Sequence, residues 1–124
     1  MRKTVYVAGP ISKGNLAANV RQAVEAGLEL ARLGFAPLVP HAMYCVDSSL
    51  GTVLVDAIGC PTLEDWHQTG EAWAASADAV LRLPGESEGA DREVAAAKLA
   101  GVPVFDSIQG IRDWAWVDSM VKGR

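Results

Sequence analysis

The stretch of sequence best suited to chemistry is a short loop that leads into a helix. Ser87 and Gly89 stand just before that helix, so their backbone N–H groups and the serine hydroxyl can bind an anion. Glu93 follows about one turn later, where a carboxylate can act as a nucleophile or as a base. Alternatively, the acidic residues of this stretch only stabilise the helix N-terminus. Those residues are Glu86, Glu88, Asp91 and Glu93.

A second candidate loop follows the first predicted strand and consists of Gly9, Pro10, Ile11 and Ser12. A single glycine followed by proline is not a dinucleotide-binding fingerprint, which needs three glycines. The glycine lets another group approach the backbone closely, and the proline stiffens the exit from the strand. A plain strand-to-helix turn is the alternative interpretation. His41 follows the second strand and faces the same end of the sheet, either as a site residue or as a structural hydrogen-bonding group.

The elements that position these loops alternate along the chain. Hydrophobic periodicity, helix caps and glycine or proline breaks predict strands at 4–8, 35–39, 78–83 and 102–105. They predict helices at 15–33, 62–76, 90–100 and 108–121, and a long irregular segment at 41–60. This order predicts a three-layer α/β fold, Rossmann-like and flavodoxin-like, with a parallel sheet of four to five strands flanked by helices.

Such a topology places the loops after the first and third strands side by side at a switch point. We therefore expect one cleft at the carboxyl ends of the strands. His41, Ser87, Gly89 and Glu93 are predicted to lie on its walls.

Composition limits the class of protein. The 124 residues fit a single domain, 1–124, and half of them are hydrophobic. The formal net charge is -4 with no basic cluster, which argues against a nucleic-acid polymer as partner. No signal peptide or membrane span is indicated, and Cys45 and Cys60 read as free thiols, so we expect a cytoplasmic location and no membrane partner. Neither histidine has a metal-ligand spacing, so neither a metal nor a cofactor is expected.

Nearly the whole chain, in order, resembles the nucleoside 2-deoxyribosyltransferase-like superfamily, most closely its small bacterial and phage branch of the DUF4406 type. The most specific feature is Ser87-x-Gly89-x-x-x-Glu93 after a strand that ends in Pro84-Gly85. The segments that carry the resemblance are 6–12, Pro40-His41, Glu64-Asp65-Trp66, 77–93 and 101–104.

The resemblance implies an enzyme that cleaves or transfers the N-glycosidic bond of a nucleoside or a nucleoside 5'-monophosphate, as a hydrolase or a transferase. It implies that Glu93 attacks C1' of the sugar and that Tyr6 lies near this glutamate. It also implies that Gly85, Ser87 and Gly89 hold the 5' end of the sugar. Carboxylate attack at C1' suits an oxocarbenium-like transition state.

The sequence departs from the family where an aspartate commonly serves the departing base. That position is Gly70 here, and Asp65 and Glu71 are the nearby carboxylates that could substitute for it. The departure keeps a rival hypothesis open, a catalytically silent nucleotide-binding or sensor module. A third hypothesis is a lysine-decarboxylase-like phosphoribohydrolase, whose glycine-rich loop the 84–93 stretch partly imitates.

Four tryptophans are many for so small a core. Trp66 and Trp73 lie seven residues apart on one predicted helix face, which favours core or dimer packing for both. Trp66 is the better candidate of the two to touch a base. Trp114 and Trp116 favour packing or subunit contact. We therefore expect a homodimer or a higher homo-oligomer, which the resemblance also implies.

Overall fold

The structure is a computed structural model that describes residues 1–45 and 62–123, with the side chains of all of these except 43–45. The predicted irregular segment therefore falls mostly outside the described residues, and its first part, Pro40–Cys45, is a 3-10 helix. The strands are β1 (Thr4–Ala8), β2 (Ala36–Leu38), β3 (Ala79–Arg82) and β4 (Val104–Phe105). The helices are α1 (Leu16–Arg32), α2 (Leu63–Ser76), α3 (Glu88–Leu99) and α4 (Ile108–Lys122).

The four strands form one parallel sheet in the order β2-β1-β3-β4. β2 lies on one side of β1, and β3 and then β4 lie on the other side. The order therefore reverses between β1 and β3, which is the switch point of a flavodoxin-like sheet. The predicted three-layer Rossmann-like fold is confirmed.

Alternation along β1 decides which side chains reach which layer. Val5 and Val7 point into a core completed by α1 and α4, whose buried contributions include Leu30 and Ile111. The residue between them, Tyr6, points to the opposite face of the sheet with Ala8, where α2 and α3 pack. The strand's period of two thus places the Tyr6 hydroxyl on the α2–α3 side.

Two predicted boundaries were wrong by two residues, each for a local reason, and the other boundaries differ by at most one residue. Helix α3 begins at Glu88 and not at 90, because the Ser87 hydroxyl caps it by accepting a hydrogen bond from the Ala90 N–H at 3.1 Å. Strand β4 begins at Val104 and not at 102, because the Val102 N–H bonds to the end of α3 and Pro103 has no N–H to donate.

Candidate active site

A cavity of about 480 Å³ opens at the carboxyl ends of β1 and β3, between the two candidate loops and helix α2. That volume is within the usual range for small-molecule sites. Of the predicted site residues, nine line it: Tyr6, Gly9, Ile11, Ser12, His41, Trp66, Ser87, Gly89 and Glu93. The expected single cleft, with residues from both loops on its walls, is confirmed.

The central contact of the cavity joins β1 to α3. The Tyr6 hydroxyl donates a hydrogen bond of 2.6 Å to Glu93 Oε2, as the predicted proximity of these residues requires. Tyr6 is only 1% exposed, and its ring lies 6.4 Å from that of Trp73, so the donor is held rigidly. Glu93 stands in the second turn of α3 with its carboxylate at the cavity wall.

Burial raises the pKa of Glu93 from its ordinary value of 4.5 to about 6. The Tyr6 hydrogen bond opposes this rise, nearby Glu71 adds to it, and Arg82 lowers it slightly. Loss of water on burial is thus the largest cause of the shift in the pKa of Glu93. At neutral pH the carboxylate is mostly ionised. Its pKa is also close to neutral pH, which is where a group transfers protons well.

Gly70 gives the Glu93 carboxylate its space. A Cβ placed on Gly70 would lie 2.0 Å from Glu93 Oε2 and 3.2 Å from the Tyr6 hydroxyl. No side chain can stand at position 70 while the carboxylate keeps this place. The glycine is thus a requirement of the observed Tyr6–Glu93 contact.

The two carboxylates considered as substitutes at this position are engaged elsewhere. Asp65 forms a capping box with Thr62 at the start of α2 and does not line the cavity. Glu71 Oε1 accepts a 2.7 Å hydrogen bond from Arg92 Nε. Neither carboxylate therefore takes the role that the family aspartate at position 70 would have.

Arg92 organises the cavity edge formed by α2 and α3. Besides Glu71, it binds both carboxylate oxygens of Glu64, at 2.7 and 2.8 Å, and this pairing lowers the pKa of Glu64 to about 2. Arg92 Nη1 also donates to His67 Nδ1 at 2.9 Å. Because a guanidinium only donates, Nδ1 must accept, and the proton of the His67 ring is on Nε2.

Sequence reasoning missed His67 as a cavity residue. It lines the cavity, and a Cβ on Gly89 would lie 3.4 Å from its Nε2. The sequence does contain a pattern that could have predicted it. His67 precedes Gly70 by three residues on α2, so the two residues share a helix face. Other cavity residues not predicted are Lys13, Pro40, Leu63, Gly70, Trp73, Glu88 and Ala90.

Pro10 and Gly85 do not line the cavity, but they join its two loops. Gly85 has a φ of +114°, and a Cβ there would come within 2.8 Å of Pro10 Cγ. Gly9 packs as tightly, since a Cβ on it would lie 2.9 Å from Leu83 Cβ. Close contact between the loops after β1 and β3 therefore depends on these small residues.

His41 is 1% exposed and anchors the loop after β1, with Nε2 donating to the Pro10 carbonyl at 3.0 Å. Its Nδ1 then carries a lone pair, and this atom has no partner among the residues that the structure describes. Burial lowers the pKa of His41, so the ring is neutral at pH 7.

Three cations near the Ser87–Gly89 loop are paired in the described part of the chain. Arg82 binds Asp91 at 3.0 Å, and Lys13 binds Glu86 at 3.0 Å. Arg92 is held by the Glu64 and Glu71 carboxylates. Ion pairs therefore engage two of the acidic residues around this loop, Glu86 and Asp91, and among the described residues none of these three cations is left unpaired for an anion.

Comparison with known proteins adds no assignment, since no model of a known family and no curated protein matches the chain. Over the described ranges, no helix is long and apolar enough to cross a membrane. Within those same ranges, no three His, Cys, Asp or Glu side chains cluster in a way that could hold a metal ion.

Proposed function

We propose that this protein cleaves the N-glycosidic bond of a nucleoside or a nucleoside 5'-monophosphate, with Glu93 as the nucleophile. The observation that carries the proposal is the Glu93 carboxylate, held by the buried Tyr6 hydroxyl at the wall of a cavity of nucleoside size. A carboxylate beneath a sugar ring stabilises an oxocarbenium-like transition state and can form a glycosyl ester.

The reaction has two steps. Glu93 attacks C1', the bond between C1' and the base nitrogen breaks, and the electron pair leaves with the base. Water or a second base then attacks C1' of the glycosyl ester and restores the Glu93 carboxylate. Hydrolysis and transfer differ only in this acceptor.

Other residues of the cavity wall have supporting roles in this proposal. Trp66 and Trp73 offer indole faces to the base, and Ser87 and Gly89 border the region where the 5' end of the sugar would lie. The His67 Nε2–H offers a donor for a sugar hydroxyl or a base edge.

The test is a screen of nucleosides and 5'-monophosphates for free base release. Wild-type protein is expected to release base from at least one compound, and Glu93→Ala is expected to release none. Glu25→Ala is the matched control, because Glu25 is an exposed carboxylate on α1 away from the cavity. Binding without release by the wild type would instead support the silent nucleotide-binding module, which the absence of an acid at Gly70 favours.

We further propose that the chain forms a homodimer. Helix α4 exposes a continuous apolar group, Trp116, Val117, Met120 and Val121. Burying that group would remove a patch that monomers seldom expose. Sedimentation at micromolar concentration should give twice the 13.1 kDa mass, and Trp116→Glu should lower it. A monomeric wild type would contradict this.

A further inference from the structure

Negative charge predominates around the cavity. Of the lysines and arginines that the structure describes, only Lys13 lines the cavity, whereas two carboxylates, Glu88 and Glu93, line it. The ion pairs at its edge add two arginines and four carboxylates, which are Arg82, Arg92, Glu64, Glu71, Glu86 and Asp91. In this part of the described structure, six carboxylates therefore stand against three cations.

This excess of negative charge does not depend on how the groups are paired. The ion pair between Lys13 and Glu86 is exposed and therefore weak, but if Lys13 leaves it, the charge of Glu86 stays beside the same loop. Even a proton on each of the cavity histidines, His41 and His67, would leave the carboxylates in excess. Residues 46–61 contain no lysine, arginine or histidine, so they add no positive charge.

Glu88 is the carboxylate that an anion at the Ser87–Gly89 loop would meet. It is the first residue of α3, its side chain is exposed at the cavity wall, and it forms no ion pair with another described residue. The positive end of a helix is equivalent to about half an elementary charge, which Glu88 and Asp91 in the first turn outweigh. The Ala90 N–H is also already bound by the Ser87 hydroxyl. The start of α3 therefore does not compensate the charge of Glu88.

We propose that the substrate is a nucleoside with a free 5'-hydroxyl, and that Glu88 is the residue that rejects the 5'-monophosphate. This inference rests on the proposed N-glycosidase function, in which the 5' end of the sugar lies near Ser87 and Gly89, and it narrows the substrate class. At neutral pH a phosphate monoester carries a charge of about −1.5 to −2. A hydroxyl is uncharged and can donate a hydrogen bond to a carboxylate, which only accepts.

The experiment compares matched pairs that differ only in the phosphate. Each of the common ribonucleosides and 2'-deoxyribonucleosides is tested against its own 5'-monophosphate for release of free base. With the wild type we expect kcat/KM to be at least about tenfold higher for the nucleoside, because like charges repel strongly where water is partly excluded. Raising the salt concentration from about 20 mM to about 300 mM should reduce this preference several-fold, since salt screens the repulsion.

Variants at position 88 test whether this carboxylate is the cause. Glu88→Gln should lower the preference for the nucleoside about fivefold, and Glu88→Lys should lower it by about 30-fold or reverse it. Glu25→Gln and Glu25→Lys are the matched controls, because they change the net charge equally on the exposed face of α1, and they should leave the preference unchanged. Dissociation constants of the same pairs in the inactive Glu93→Gln background separate binding from chemistry, and they should shift in the same sense.

The outcomes distinguish this inference from the proposed function. Base release from the monophosphate that equals or exceeds release from the nucleoside would overturn the inference and leave the N-glycosidase function intact. So would a preference that Glu88→Lys changes neither in turnover nor in binding. Release from neither member of any pair would overturn the N-glycosidase function, and this inference with it.

Discussion

Glu93→Gln is expected to lower base release by about 1,000-fold or more, while the protein becomes more stable at neutral pH. The amide keeps the size of the carboxyl group and an oxygen that can accept from the Tyr6 hydroxyl. It lacks the carboxylate that attacks C1' and the negative charge that stabilises the oxocarbenium-like state. The substitution therefore removes stabilisation of the transition state. Turnover with saturating nucleoside should therefore fall without loss of ligand binding.

The gain in stability follows from the raised pKa of Glu93. A carboxyl whose pKa rises from 4.5 to about 6 on folding favours the folded state fully below pH 4.5. That contribution is lost as the pH rises through about 6, because the ionised group must then be kept away from water. The loss amounts to at most about 2 kcal/mol by pH 7, so the variant should gain up to that much. In the wild type, base release should fall as the pH drops through the same range, since the nucleophile becomes protonated.

Chemical denaturation at pH 4 and pH 7.5 measures the effect on stability. The free energy of unfolding of Glu93→Gln should exceed that of the wild type at pH 7.5 and approach it at pH 4. Glu25→Gln, on the exposed face of α1, should show neither the stability gain nor the loss of turnover. Retention of turnover within tenfold by Glu93→Gln would refute its role as nucleophile.

The fold could be predicted from sequence because its signals are local. Periods of two and of three to four residues separate strands from helices, and the caps at Asn15, Thr62 and Ser107 mark helix starts. The topology that follows places the loops after β1 and β3 side by side, and the family resemblance puts Tyr6 near Glu93, so their contact could be predicted although they lie 87 positions apart in the sequence. Here motif and topology point to the same place.

The rest of the site depends on interactions that spacing does not encode. The sequence offers Arg92 several carboxylates, and only packing of α2 on α3 selects Glu64 and Glu71 as its partners and adds His67. The direction of the Glu93 pKa could not be predicted either, because burial and the Tyr6 hydrogen bond act in opposite senses. From the sequence, Asp65 could serve either as a site carboxylate or as a helix cap. In the structure it forms the capping box at the start of α2.

In the sequence, Gly70 stands where the family resemblance leads one to expect a carboxylate. The structure shows that the lack of a side chain at this position makes room for the Glu93 carboxylate. A Cβ there would overlap Glu93 Oε2 at 2.0 Å, and the atom that must yield is the end of a flexible side chain. Gly70→Ala is therefore expected to leave the fold intact while displacing the carboxylate from Tyr6. The helix itself gains, since alanine is favoured over glycine in a helix interior by about 1 kcal/mol.

Base release by Gly70→Ala should fall about 100-fold, because a shift of about 1 Å in a catalytic group is costly even when the group is retained. Thr69→Ala, the neighbouring residue on α2 outside the cavity wall, is the matched control and should keep wild-type turnover. Thermal unfolding should show Gly70→Ala close to the wild type in stability.

The same substitution made in Glu93→Ala meets no carboxylate, so there it should stabilise the protein by about the full helix preference of roughly 1 kcal/mol. A smaller gain in the presence of Glu93 than in its absence would measure the clash directly. Full turnover in Gly70→Ala, with equal gains in both backgrounds, would mean that the carboxylate does not work from the place that Tyr6 gives it. Whether Glu93 is the nucleophile would then rest on the turnover of Glu93→Gln alone.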